Sequence, residues 1–151
     1  MKKGLIVLAV MLLVLVTGCT SSKEEKMVCT RTSTMNGIKL DLNYQVYYQK
    51  DVVNKVQTTE KITSTSKETL ATYKKAIEDL YSNFNGIKHY NYDIVIEGDT
   101  LTSKTDINYS KININDLLKI DSSIEQLLNK DNKISLEKIK EVYESTGAIC
   151  K

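Results

Sequence analysis

Tryptophan and proline are absent from this chain of 151 residues, histidine occurs once and glycine six times. Each shortage removes a class of chemistry. A single histidine, His89, with no Ser in a Gly-x-Ser-x-Gly elbow and no evident Cys-His pair, leaves nucleophilic hydrolysis without its usual base. The sparse glycines form neither a Walker nor a dinucleotide pattern, so no phosphate cradle is visible. Asp93, Glu97, Asp99 and Asp106 occupy strand or turn positions where solvated faces are the default, and Asn129-Lys-Asp-Asn-Lys133 lacks the alternating acids and closing Glu of a calcium loop. The expectation is therefore no enzyme, no cofactor and no metal.

Excess charge is missing too, once the chain is divided. The formal net charge is +2, from 21 basic and 19 acidic residues. Two of the 21 basic residues, Lys2 and Lys3, precede Cys19 and none of the 19 acidic ones does, so 19 of each sign remain beyond it. Without a basic surplus or a block of like charges, nucleic acid is not an expected partner. Lys74-Lys75 then reads as a solvated helix face, not a binding patch.

What the chain does contain starts at its leader. Lys2 and Lys3 precede an uninterrupted apolar run from Leu5 to Val16, too short for a comfortable membrane span but suited to a signal peptide covering 1–18. Leu15-Val16-Thr17-Gly18-Cys19 resembles the bacterial lipobox, with cleavage between Gly18 and Cys19. The spacing has a chemical reason: a thiol is the side chain that accepts diacylglycerol as a thioether, and small residues before it fit a peptidase cleft. Thr20 to Lys26 is polar, as a spacer should be, so 19–26 forms a tether and 27–151 a single domain. Multiple acyl chains on Cys19 would hold the protein stably to the membrane, on its extracytoplasmic side.

With Cys19 assigned to lipid, Cys29 and Cys150 remain, an even number facing an oxidising space. A single disulfide is the simplest pairing. A redox pair would more often be Cys-x-x-Cys, and a zinc site completed by His89 would have only three soft ligands. Closing so long a loop contributes up to about 4–5 kcal/mol in the chain-entropy account.

Within the domain, Met27 to Met35 is rich in Thr and Val and is followed by Asn36-Gly37, a two-residue hairpin signal. Ile38, Leu40, Leu42, Tyr44, Val46 and Tyr48 then alternate with polar residues, predicting a long half-buried strand. Val52 to Thr63 reads as a third strand with a largely polar face. The period then changes: Thr65 with Glu68 makes a capping box, and Leu70, Tyr73, Ile77, Leu80, Tyr81 and Phe84 form one helical stripe ending at Asn85-Gly86. Two more strands follow, from His89 to Glu97 and from Thr100 to Tyr109, joined at Gly98-Asp99. A short helix capped by Asp116, a turn with Ile124, Leu127 and Leu128, and a helix from Ser135 to Gly147 complete the chain. The fold class is α+β: an antiparallel sheet of about five strands, one main helix on one face, and short C-terminal helices.

Nine Tyr against one Phe is the remaining anomaly. Tyr at the wet edge of a thin core buries its ring and keeps its hydroxyl in water, which accounts for most of them. The sharper reading is a ligand face made by Tyr44, Tyr48, Tyr90 and Tyr92. Tyr44 and Tyr48 have the Tyr-x-x-x-Tyr spacing also found in surface haem-binding domains, although here they lie on an alternating strand.

The polar tether, the Thr-rich strand before Asn36-Gly37, the strand bearing Tyr44 and Tyr48, the segment Asp51-Val-Val-Asn-Lys-Val-Gln-Thr-Thr-Glu-Lys-Ile62 and the Lys/Glu-rich helix together resemble the YehR-like family of small bacterial lipoproteins. The similarity extends through Thr100 to Tyr109 and the closing helix with Gly147. It implies an α+β domain on a lipid anchor, with no established biochemical activity. Gln49-Lys50-Asp51 lacks the Gly that commonly precedes that Asp in the family, and Cys29 and Cys150 are not general family features. The expected role is a membrane-anchored, non-catalytic protein-interaction or binding module, with a small-ligand-binding lipoprotein as the alternative. Its partners would be the membrane, through the lipid on Cys19, and an envelope protein or a small ligand.

Overall fold

The computed structural model describes residues 23–151. The signal segment, Gly18, Cys19 and the first part of the tether lie outside the described residues. Six strands form one sheet: β1 (Glu25–Met35), β2 (Ile38–Gln49), β3 (Val52–Thr63), β4 (Tyr90–Glu97), β5 (Thr100–Ile107) and β6 (Ile149–Cys150). Their order is β4-β5-β3-β2-β1-β6, and every pairing is antiparallel. Helix α1 (Lys67–Ser82) crosses from β3 to β4; α2 (Ile114–Ile120), a 3-10 turn (Ser122–Leu127) and α3 (Leu136–Ser145) follow β5.

The sixth strand corrects the expected count of about five. Two residues carry no readable alternation, and β6 is found only by its pairing of Cys29 with Cys150 and Thr30 with Ile149. Two caps also move. Ser66, not Thr65, accepts from the Thr69 backbone N–H to start α1, and Asn113, not Asp116, caps α2. Asp116 instead pairs with Lys119 at 2.9 Å within that helix. The Asn36-Gly37 turn forms as expected, with both residues in left-handed backbone (φ 51° and 76°) closing the Met35–Ile38 pair.

The register sets four cross-strand rows on the helix-covered face. At one end are Met27, Val46, Val56, Ile107 and Tyr90; at the other are Ser33, Leu40, Ile62, Leu101 and Ile96. A bulge between Tyr47 and Tyr48, which leaves Asn54 without a partner in the ladder, puts Val53 and Val56 on the same face, both 2% exposed. The first row builds a core with Val53, Leu128, Ile134, Ile139 and Ala148, beneath the C-terminal helices. The last row builds a second, smaller core with Leu70 and Ile77 of α1. Tyr73 and Leu80 of the expected apolar stripe face outward, at 38% and 56% exposure, so α1 uses a narrower face than its sequence offers.

Candidate functional site

Between the two end rows run two more, which mix polar groups into the packing: Cys29 and Tyr44 still belong to the larger core, and Ile94 packs on the smaller one. One reads Cys29, Tyr44, Thr58, Thr105, Tyr92; the other reads Arg31, Leu42, Glu60, Ser103, Ile94. Small hydroxyl residues and one carboxylate thus occupy mid-sheet positions where a continuous core would place Val, Ile or Leu.

The walls of this seam are tyrosines from both helical layers. Tyr143 of α3 stacks on Tyr44 at a centroid distance of 4.0 Å and an interplanar angle of 12°. From the other side, Tyr81 of α1 lies 5.4 Å from Tyr92 and 6.5 Å from Tyr90, and Phe84 stacks on Tyr90 at 4.6 Å. Such pairs add to the area they bury. Burial, then the neighbouring Glu60, raises the Tyr44 and Tyr81 hydroxyls above their ordinary pKa. Burial also raises Tyr90 and Tyr143, and pushes Tyr109 up to about 12. These hydroxyls stay protonated at neutral pH and offer donors.

Glu60 is the one acid on this face of β3. Burial raises its carboxyl pKa, and no neighbouring charge acts on it strongly enough to offset that. Its direct cross-strand neighbours are Leu42 and Ser103. Ser103 is 1% exposed and its Oγ has no hydrogen-bond partner among the described residues. The Tyr81 hydroxyl is close enough to be influenced by Ser103, but the two fall short of hydrogen-bond geometry. An orphaned buried hydroxyl beside an unpaired carboxylate is uncommon in native interiors and calls for a reason.

All four tyrosines of the expected ligand face lie on the covered face of the sheet, but they do not form one patch. Tyr44 and Tyr92 share a row and are separated by Thr58 and Thr105. Tyr48 packs at the end of the larger core, and its hydroxyl donates to Glu25 at 3.2 Å. Tyr44 and Tyr48 thus both pack on the larger core, on either side of the Val46 row, and of the two Tyr44 is in a seam row. Glu60 and Ser103 escaped sequence reasoning because register alone brings them together; Tyr81 and Tyr143 were legible as inward helix positions, but not as neighbours of one another, since helix docking decides that. Cys29 and Cys150 are bonded, with Cα atoms 3.9 Å apart and 121 residues between them in sequence.

The opposite face of the sheet is uncovered, and none of its residues is buried. It carries two shallow depressions of about 340 and 500 Å³ that share Gln45 and Thr59. Its polar groups largely satisfy one another. The Tyr47 hydroxyl lies 3.1 Å from the side-chain oxygens of both Gln45 and Gln57, which share its one proton, Gln57 donates to Asp106, and Lys55 pairs with Asp106 at 3.0 Å. Asn43 is the exception, its Oδ1 buried without a partner. Among the described residues no group of three or more His, Cys, Asp or Glu is placed to hold a metal ion, and no helix is long and apolar enough to cross a membrane.

Two solved structures share this arrangement. The NMR structure of the Escherichia coli YehR protein is 21% identical and superposes with a TM-score of 0.55, covering 86% of this chain and 92% of that one. The NMR structure of a protein from Streptococcus pneumoniae TIGR4 is 11% identical, with a TM-score of 0.54 over 100% of this chain and 94% of that one. At such identities the likeness is one of fold. No curated protein matches. The family model described as "Protein of unknown function (DUF1307)" matches residues 29–148, and the chain belongs to that uncharacterised, YehR-like family.

Proposed function

We propose that this chain is a lipid-anchored extracytoplasmic binding module, held at the membrane by acyl chains on Cys19, and that its tyrosine-walled seam takes a small ligand. The observation that carries the binding role is the polar seam itself. A purely structural sheet would merge its two cores, yet here Glu60 and the orphaned Ser103 Oγ divide them. The lipobox at Gly18-Cys19 and the bonded Cys29–Cys150 pair support the compartment. The seam has hydroxyl donors and one carboxylate but no nucleophile–base pair, which favours binding over catalysis.

Two measurements test this reading. Metabolic labelling with an alkynyl fatty acid should mark the native protein and fail on Cys19→Ala. NMR titration with metabolite mixtures should perturb Tyr44, Tyr81 and Tyr143 before other tyrosines; labelling that survives the substitution, or a seam no compound touches, defeats it. A second reading, protein docking on the uncovered sheet face, is favoured by the unpartnered Asn43 Oδ1 in its larger depression. Perturbations confined to Asn43, Gln45 and Thr59 on addition of membrane extract would select it.

A further inference from the structure

Resting on the reading of the seam as a ligand site, the chemistry of its lining narrows the ligand class. Glu60 makes no ion pair and no hydrogen bond among the described residues. Its row supplies Leu42 on one side and the buried Ser103 on the other, and Tyr44 and Tyr81 lie within the reach of its charge. Arg31 ends the same row, two strands away; its charge also reaches Tyr44, but it makes no ion pair with Glu60 among the described residues, and its Nε lies near Gly147 after α3. A carboxylate in such surroundings is costly unless a counter-charge arrives.

Three ligand classes fit poorly. An anion would meet the Glu60 charge and the negative faces of the tyrosine rings. A metal ion needs several hard ligands, and the seam gathers one carboxylate. A neutral polyol would bond the hydroxyls but leave Glu60 uncompensated. An organic cation satisfies each feature: an ammonium group is a counter-ion for the carboxylate and is attracted to tyrosine faces.

We infer that the seam binds a small organic ammonium compound, with Glu60 as counter-ion, Tyr44, Tyr81 and Tyr143 as aromatic walls, and Ser103 as an acceptor at its floor.

The test is NMR titration of the full chain in a non-ionic detergent, with ring-labelled tyrosines. The probes are tetramethylammonium, choline and putrescine, with glucose and acetate as controls. At least one of the three cations should shift the Tyr44, Tyr81 and Tyr143 signals while the controls do not. Glu60→Gln should weaken that binding at least tenfold, whereas Gln57→Ala, on the uncovered face, should leave it unchanged. Glu60→Gln should also raise the urea midpoint of the ligand-free protein, because it removes an uncompensated charge. A lower midpoint, or cation binding that Glu60→Gln leaves intact, would overturn the inference. If glucose, acetate or another compound from the metabolite mixtures shifts the seam tyrosines and no cation does, the ligand class is wrong and the binding role stands. If nothing shifts them, both fall.

Discussion

Lys50 stands in left-handed backbone, φ 58°, in the turn that joins β2 to β3. A side chain at that geometry costs about 1–2 kcal/mol, a penalty glycine escapes. The resemblance to the YehR-like family places a Gly just before Asp51, and the turn geometry supplies the reason. Lys50→Gly is expected to stabilise the domain by up to about 1 kcal/mol, since the relief exceeds the entropy glycine adds to the unfolded chain. A urea midpoint that falls instead would show the lysine in an unstrained turn. Single residues were legible where parity was unbroken: Leu40, Leu42, Tyr44 and Val46 share the covered face, as their alternation predicts. Glu60 was not. Val52 and Val53 are adjacent in β3, and the bulge at Asn54 resets the pattern, so an acid in that strand is naturally assigned to the wet side.

Helix α1 shows what an element adds to its residues. Its stripe from Leu70 to Phe84 was readable at helical spacing, but which part of the stripe is covered depends on where β4 and β5 lie beneath it. Leu70 and Ile77 meet the smaller core, Tyr81 turns to the seam, and Leu80 is left in water. Its N-terminus depends on Ser66, whose Oγ accepts from Thr69 N–H at 3.2 Å while Ser64 Oγ accepts from Ser66 N–H at the same distance. Ser66→Ala should cost about 1 kcal/mol, read as a drop in urea midpoint, whereas Thr65→Ala should cost little. The reverse ranking would restore the capping box expected from Thr65 and Glu68. That box failed because the chain leaving β3 puts Ser66 in extended backbone at the helix start, and propensity alone cannot choose between neighbouring Thr and Ser.

At the scale of the whole molecule, two quantities govern stability. The first is the Cys29–Cys150 bond, which closes a loop of 121 residues. Reducing it, or replacing both cysteines with Ala, should lower stability by up to about 4–5 kcal/mol, measured by urea unfolding with and without reductant. A negligible change would mean that the two cores hold the termini unaided. The second is the set of buried hydroxyls. Tyr44, Tyr81, Tyr90, Tyr109 and Tyr143 ionise less readily folded than unfolded. Above about pH 10 the unfolded chain therefore holds fewer protons than the folded one, and stability falls as pH rises. Between neutral pH and that point it should change little, and it should collapse toward pH 12 in step with tyrosinate absorbance; tyrosines that ionise before the urea midpoint drops would contradict this. Glu60 has the same sign at acid pH: its stabilising contribution is complete below its ordinary pKa of 4.5 and is lost as pH rises through its raised value. The α+β class and the succession of the first five strands along the chain followed from periodicity, but the β3–β5 pairing that joins the first three to the last two did not. The polar division of the core did not, because it exists only once four strands are in register.

The same disulfide has a mechanical meaning. Tension applied on the N-terminal side enters the domain through β1, directed along a strand bonded to β2 over its full length from Glu25 to Met35. A load in that direction must shear many backbone bonds at once, where a sideways peel would break them singly. Cys29 also passes part of the load covalently to Cys150 and so to β6 and α3. A membrane tether would therefore pull on two strands and a helix together, and the tyrosine seam behind them would keep its shape under tension.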